Sequence, residues 1–154
     1  MFMKKITKKR TRDFLKSQFI MQLASSSKKN MPQVSIMLYV IDRDLNFYCA
    51  THSDSIKAQN MAENKNVSIA VWAHNQFMVQ VKGIVETVVD EKKQNKILTA
   101  LAKAGAKDDN FWPPVFRIKG SSYVLYKIVP AEISVLDLVS RNISESQSPF
   151  TKIL

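Results

Sequence analysis

Asn46-Phe-Tyr-Cys-Ala-Thr-His-Ser-Asp-Ser-Ile-Lys-Ala-Gln-Asn-Met-Ala-Glu-Asn-Lys-Asn-Val-Ser68 is the stretch on which the rest of the chain is organised. Phe47 to Ala50 is a short apolar run of strand character that ends in hydroxyl residues, after which a helical pattern begins. Ser55 stands where a helix cap belongs, Lys57 lies in the first turn, and Ile56, Met61 and Ala62 are expected to share the buried face. A strand handing over to a helix brings orphan N–H groups, a partial positive dipole and here a lysine to one point. Such a point can hold a phosphate. The candidate pocket is Thr51-x-x-x-Ser55-x-Lys57. A serine ahead of a helix most often serves as a cap alone, so the spacing by itself leaves both readings open.

The flanks of this stretch are strand-like. Val34 to Ile41 is an apolar, β-branched run, and Asp42-Arg-Asp-Leu-Asn is a tight polar turn that returns the chain antiparallel into Phe47–Thr51. Beyond the helix, Val67 to Ala73 reads as a strand, His74-Asn-Gln as a turn, and Phe77 to Val89 as a longer strand. In that strand Val79, Val81 and Val85 oppose Met78, Gln80 and Lys82. Upstream, Thr11 to Leu23 has Phe14, Leu15, Phe19 and Leu23 at helical spacing and runs into a short strand over Ile20 to Ser25. Downstream, Asp90 to Ala104 predicts a helix with Ile97, Leu98, Leu101 and Ala102 on its apolar face, closed by Gly105. Lys107 to Lys119 carries Trp112-Pro-Pro114 and is irregular; Tyr123–Val129 and Ile133–Leu138 are two strands parted by Pro130.

Six or seven antiparallel strands with short turns and a few helices predict a mainly β, α+β fold, a small split β-barrel with peripheral helices, because closure leaves few exposed edges. At 154 residues the chain suits one core. Residues 13–139 form the expected domain, residues 1–12 a basic arm, and residues 140–154 a Ser-rich tail, flexible or docked in a dimer. The single cysteine, Cys49, excludes an internal disulfide and sits in a strand-like run, where a thiol is most often buried and inert. No apolar run approaches the roughly 20 residues a spanning helix needs, and the basic start lacks an apolar region behind it, so a reducing cytoplasm is the expected compartment.

The net charge of +10 comes largely from the first sixteen residues. Basic tails attract nucleic acid or acidic lipid, but this one lacks interleaved aromatics for stacking on bases, and neither nucleic acid nor membrane is expected as a partner. No Ser-His-Asp, Cys-His or metal-ligand spacing is present, so no catalytic residue and no metal site is assigned.

Taken in order, the motifs resemble the FMN-binding split-barrel family that includes pyridoxamine-phosphate oxidase. The resemblance runs from about Ile20 to Leu138. It rests on Pro32-x-Val34-Ser35, Leu45-x-Phe47-Tyr48-x-x-Thr51, Thr51-x-x-x-Ser55-x-Lys57, Asn64-Lys-Asn-Val67-Ser68 and Val79-x-Val81-x-Gly83-x-x-Glu86. It implies a homodimer with two FMN sites at its interface. It assigns Thr51, Ser55 and Lys57 to the phosphate and the backbone of Ser35, Ile36 and Met37 to the flavin ring and ribityl chain. Ala50 and Gln80 join the cofactor set. Departures accompany the match: Ser35, Val40 and Ile56 stand where pyridoxamine-phosphate oxidases carry arginine, lysine and arginine, Met78 aligns nearest their flavin-contacting glutamine, and nothing after Leu138 matches their C-terminal tryptophan and arginine segment. Pyridoxamine-phosphate oxidation itself is therefore not expected.

The resulting expectation is an FMN-binding flavoprotein that passes electrons between a reduced donor and an unidentified small molecule. The alternative is a non-catalytic barrel that holds flavin or haem, or no ligand, with His52 and His74 as the axial candidates for haem. The aromatic cluster around Trp112 is a lid, an interface contact or ordinary packing.

Overall fold

The computed structural model describes residues 5–110, 122–140 and 146–154. The Trp112 cluster lies outside them. Helix α1 spans Lys8–Ser17, with the Thr7 side chain accepting from the Arg10 amide as its cap, so the helix begins inside the basic segment rather than after it. Thr11, Phe14 and Leu15 are its buried residues. Phe19 and Leu23, expected on the same helix, fall on the connection and on strand β1 (Ile20–Ser26).

Strand β2 (Pro32–Leu38) pairs antiparallel with β1, and β3 is a two-residue strand, Val40–Ile41. The run Val34–Ile41 is thus broken at Tyr39. There the chain changes partner: the Tyr39 amide makes the last bond of the β1–β2 ladder, to the Phe19 carbonyl at 3.0 Å, Val40 pairs with Tyr48 of the next strand, and the Tyr39 hydroxyl donates to the Leu15 carbonyl at 2.7 Å. After β4 (Phe47–His52), helix α2 (Ile56–Glu63) and strands β5 (Asn66–Trp72) and β6 (Phe77–Thr87) follow. Helix α3 (Glu91–Gly105) and the long strand β7 (Tyr123–Asp137) lead to a short C-terminal strand β8, Thr151–Lys152.

The sheet order is β2-β1-β5-β6-β7-β4-β3, with β8 attached to β7. The two ends of this path, β2 and β3, are separated in sequence by Tyr39 alone. The sheet therefore curls until its ends meet, as a barrel requires. Alternation fills it: Val67, Ile69 and Val71 of β5, Val79, Val81 and Val85 of β6, and Ile128, Ile133 and Val135 of β7 point inward with Met21, Leu23, Met37, Phe47 and Cys49. A second cluster, Leu38, Tyr48, Ala50 and Leu125 with Ile97 and Leu101, packs α3 on the outside of β4. The Asp90 side chain caps α3 by accepting from Lys93.

Strand β7 is continuous through Pro130, where two strands were expected. Opposite Lys82 and Gly83 the register shifts, leaving Ala131 as the extra residue of a bulge. Before the bulge odd-numbered residues of β7 bond to β6, since the Val88 amide donates to the Leu125 carbonyl. The absent N–H of Pro130 thus faces the far edge, where β4 has already ended at the Phe47–Ile128 pair. Gly83 permits the close approach: a Cβ there would stand 2.8 Å from Ile128 Cγ2 and 2.9 Å from the Val129 oxygen.

Candidate functional site

Hydrogen-bond parity defines a cleft where the barrel ends meet. The amide of Ser27 bonds the Met31 carbonyl, and that of Tyr39 bonds the carbonyl of Phe19; both lie in register with the β1–β2 ladder. Odd-numbered residues of β2 therefore turn their main-chain groups to β1, and Val34, Ile36 and Leu38 turn theirs away. On β4, Ser53 and its odd-numbered predecessors bond β7, while the Asp42–Asn46 bond and the Val40–Tyr48 pair mark the even-numbered edge as the one facing β3. Ladder pairing between the two segments covers only Val40–Tyr48 and Ile41–Phe47. Beyond it no ladder pair joins the two segments among the described residues, so the main-chain groups of Ile36 and Leu38 on one edge and of Ala50 and His52 on the other have no ladder partner there. Of Ser35, Ile36 and Met37, then, Ile36 alone offers backbone groups to the cleft.

Helix α2 starts at the His52 end of this cleft. Ser55 caps it, its hydroxyl accepting from the Ala58 amide at 3.2 Å, and the Thr51 and Ser55 hydroxyls lie 3.3 Å apart. The Gln59 amide bonds the Ser55 carbonyl. The amides of Ile56 and Lys57 take no protein acceptor among the described residues. Two free N–H groups, two hydroxyls and the half-buried Lys57 thus converge at one helix end. Lys57 also acts on Cys49: burial pushes that thiol up to about 12, and the lysine charge pulls against the shift. Cys49 is fully buried and stays protonated at neutral pH.

The helix is held in place by polar stitches to β1. Asn60 Nδ2 donates to Ser25 Oγ at 3.2 Å and Asn64 Nδ2 to Ser26 Oγ at 3.0 Å. Its buried residues are Ala58, Asn60 and Met61. Ile56 and Ala62, expected beside Met61 on that face, are exposed, because the polar Asn60–Ser25 contact sets the rotation of the helix. Ile56, 61% exposed, opens the first turn of the helix to solvent. His52 accepts the Asp54 amide on Nδ1 at 3.1 Å. His74 lies in an exposed turn.

Gln80 is elsewhere. It is exposed on the outer face of β6 opposite Ser134, whereas Thr51 pairs with Val124 on the same strand β7. At about 3.3 Å per residue, ten residues of β7 put roughly 30 Å of strand between them. It lines a groove of about 480 Å³ with Gln22, Val34, Ser68, Lys82 and Ser134. Gln22 Oε1 is buried there without a partner. Among the described residues no group of three His, Cys, Asp or Glu gathers as a metal site. No described helix is long and apolar enough to cross a membrane.

The family model for pyridoxamine 5'-phosphate oxidase matches residues 7–136 of this chain. The chain belongs to that family. Among curated proteins none matches it at a significant level. Solved structures share the fold. A conserved hypothetical protein of Mycobacterium tuberculosis superposes with a TM-score of 0.75 at 18% identity, covering 94% of this chain and 92% of that one. A FAD-binding protein of Mesorhizobium loti gives 0.67 at 20% identity, covering 88% and 97%. The haem storage protein of Vibrio cholerae gives 0.65 at 13% identity, covering 84% and 94%.

What the sequence reading missed in the cleft is Leu38 and the separation of main-chain roles along β2. The two-residue period of a strand carries that signal once one ladder bond is known.

Proposed function

We propose that this family member binds FMN, with the cofactor phosphate at the start of α2 and the flavin ring along the β2 edge. The observation that carries the reading is the pair of unengaged amides at Ile56 and Lys57, beside two hydroxyls and a lysine, at the end of an open main-chain cleft. Phosphate oxygens would accept from those amides, from Thr51 and Ser55, and from the Lys57 ammonium. The main chain of Ile36 and Ala50 would meet the polar edge of the ring and fix its orientation, while neighbouring apolar side chains exclude water. Bound flavin would supply the redox chemistry, and the protein supplies position and electrostatics. An oxidoreductase of this kind needs no side-chain acid or base in the cleft, which suits the residues found there.

The same reading makes the protein a homodimer. The outer face of β2, β1, β5 and β6 carries Val34, Ile36, Trp72 and Ile84 exposed, with the unpartnered Gln22 oxygen among them. A second copy seated there would cover that face, and Gln80 would then act from the other copy. The absorbance spectrum of purified protein and an FMN titration test the assignment. A flavin spectrum, or saturable quenching of added FMN, supports it; no binding at high FMN overturns it.

A second reading is a haem holder. His52 favours it, because Nδ1 is engaged by the Asp54 amide and Nε2 is left for an axial bond at the cleft end. A Soret band that is lost in His52→Ala would establish it in place of the first.

A further inference from the structure

We propose that the α1 surface is a docking face for the phosphate backbone of duplex nucleic acid, independent of the cleft. The first sixteen residues hold seven cations and one acid. Folding aligns three of them. Thr11, Phe14 and Leu15 turn into the core, so Lys8, Arg12 and Lys16 form a stripe at four-residue intervals along one flank of the buried face, about 6 Å apart along the axis.

Two other elements lengthen that stripe. The Arg12 guanidinium donates to the Arg43 carbonyl at 3.5 Å, bringing the turn between β3 and β4 alongside. Lys107 Nζ, just past α3, donates to the Lys16 carbonyl at 3.3 Å. Five cations from three separate segments thus lie along one edge of the protein.

Local acids do not cancel them. Asp13 sits off the stripe, 4.0 Å from Lys9. The Asp42 carboxylate is turned into its own turn, where it accepts from the Asp44 and Asn46 amides, Asn46 Nδ2 and the Tyr48 hydroxyl. Asp44 neighbours Arg43, and Asp108 and Asp109 neighbour Lys107, so the uncancelled charge is that of Lys8, Arg12 and Lys16 on α1.

On α1 the one aromatic side chain, Phe14, is buried, which argues against single strands, since these need a π platform. A duplex backbone needs only cations, whose binding releases condensed counterions. A bilayer is the poorer match, because a helix that lies on a membrane must offer an apolar face, and Phe14 and Leu15 are 6% and 0% exposed.

The test is fluorescence anisotropy of a labelled, mixed-sequence DNA duplex titrated with the full chain over a salt series. Wild type should bind at low salt and weaken log-linearly as salt rises. Lys8→Ala, Arg12→Ala and Lys16→Ala combined should flatten the log–log slope by about 2 to 3, near 0.9 for each phosphate no longer neutralised. Lys28→Ala, Lys29→Ala and Lys65→Ala combined, at the opposite end of β1, remove the same charge and should leave the slope within about 0.5 of wild type. Equal flattening by both triples would replace the stripe with net charge alone and overturn the proposal. So would tighter binding to phosphatidylserine vesicles than to duplex at the same salt, or no duplex binding at low salt. Circular dichroism checks the fold of each triple; should the stripe triple unfold, Lys8→Ala and Lys16→Ala, both exposed, are read singly, each flattening the slope by about 1.

Discussion

The hydroxyls of Thr51 and Ser55 stand 3.3 Å apart across the turn that carries the end of β4 into α2, and Ser55 simultaneously accepts the Ala58 amide. One residue thus ties the last inward-facing position of a barrel strand to the first turn of a helix. Ser55→Ala should cost about 1 kcal/mol of stability, the usual value of a lost N-cap, read as a lower urea midpoint with unchanged slope. It should also weaken FMN, whereas Ser55→Gly, which caps tolerably, should weaken FMN with only a few tenths of a kcal/mol of stability lost.

At Gly83, β7 approaches β6 too closely to leave room for a side chain. A methyl group there would press on Ile128 Cγ2 and on the Val129 carbonyl, the second of which cannot move without the strand. Gly83→Ala should destabilise by about 1 to 3 kcal/mol in thermal or urea unfolding.

The closure of the barrel depends on Tyr39. Its buried hydroxyl donates to the Leu15 carbonyl at 2.7 Å, and burial raises its pKa far above that of an ordinary phenol. Tyr39→Phe leaves that carbonyl unsatisfied and should cost about 1 to 3 kcal/mol. Hydrogen exchange should show the loss first in α1, whose C-terminal turn the bond holds.

The turn at Asp42 makes stability depend on pH from both sides. Burial works to raise the Asp42 pKa, but hydrogen bonds from Asn46, Tyr48 and the Asp44 amide outweigh it and hold the carboxyl below the usual range. A depressed folded pKa stabilises at pH values above the unfolded carboxylate pKa, and that contribution is lost as pH falls through the folded value. Tyr48 is pushed up to about 12, by burial first and then by its bond to Asp42. Its contribution is complete below the unfolded pKa near 10 and fades as pH rises toward about 12. Asp42→Asn should therefore flatten the acid limb of the stability profile, and Tyr48→Phe the alkaline limb, in unfolding measured across pH.

Much of this was legible in the sequence, for physical reasons that differ from place to place. Val79, Val81 and Val85 alternate with Met78, Gln80 and Lys82, and that two-residue period alone sorts the inside of β6 from the outside. Ser55 announced its helix because capping is local chemistry. Tyr39 was illegible: nothing in Val34–Ile41 breaks a strand, and the point where pairing passes from β1 to β4 is set by partners distant in sequence, Phe19 on one side and Tyr48 on the other. Pro130 misled in the other direction, since the cost of a proline depends on which edge its missing N–H faces, and that is set by β4 and β6. In the cleft, Thr51, Ser55 and Lys57 come together as spaced, but which β2 residues turn their main chain outward follows from ladder parity. Gln80 shares a strand period with the core yet stands on the opposite face of the sheet, a long way from Thr51 within one chain.

The central claim, that the start of α2 holds a phosphate, is tested most directly by comparing FMN with riboflavin. Isothermal titration of both ligands into wild type and Lys57→Ala isolates the phosphate, because the two ligands share the ring and ribityl chain. The account predicts that wild type prefers FMN by about 10-fold or more, as a charge-assisted contact of about 1.5 to 3 kcal/mol would give. Lys57→Ala should narrow that preference while leaving riboflavin affinity unchanged. Equal affinity for the two ligands in wild type, or a preference for FMN that survives in Lys57→Ala undiminished, would contradict it.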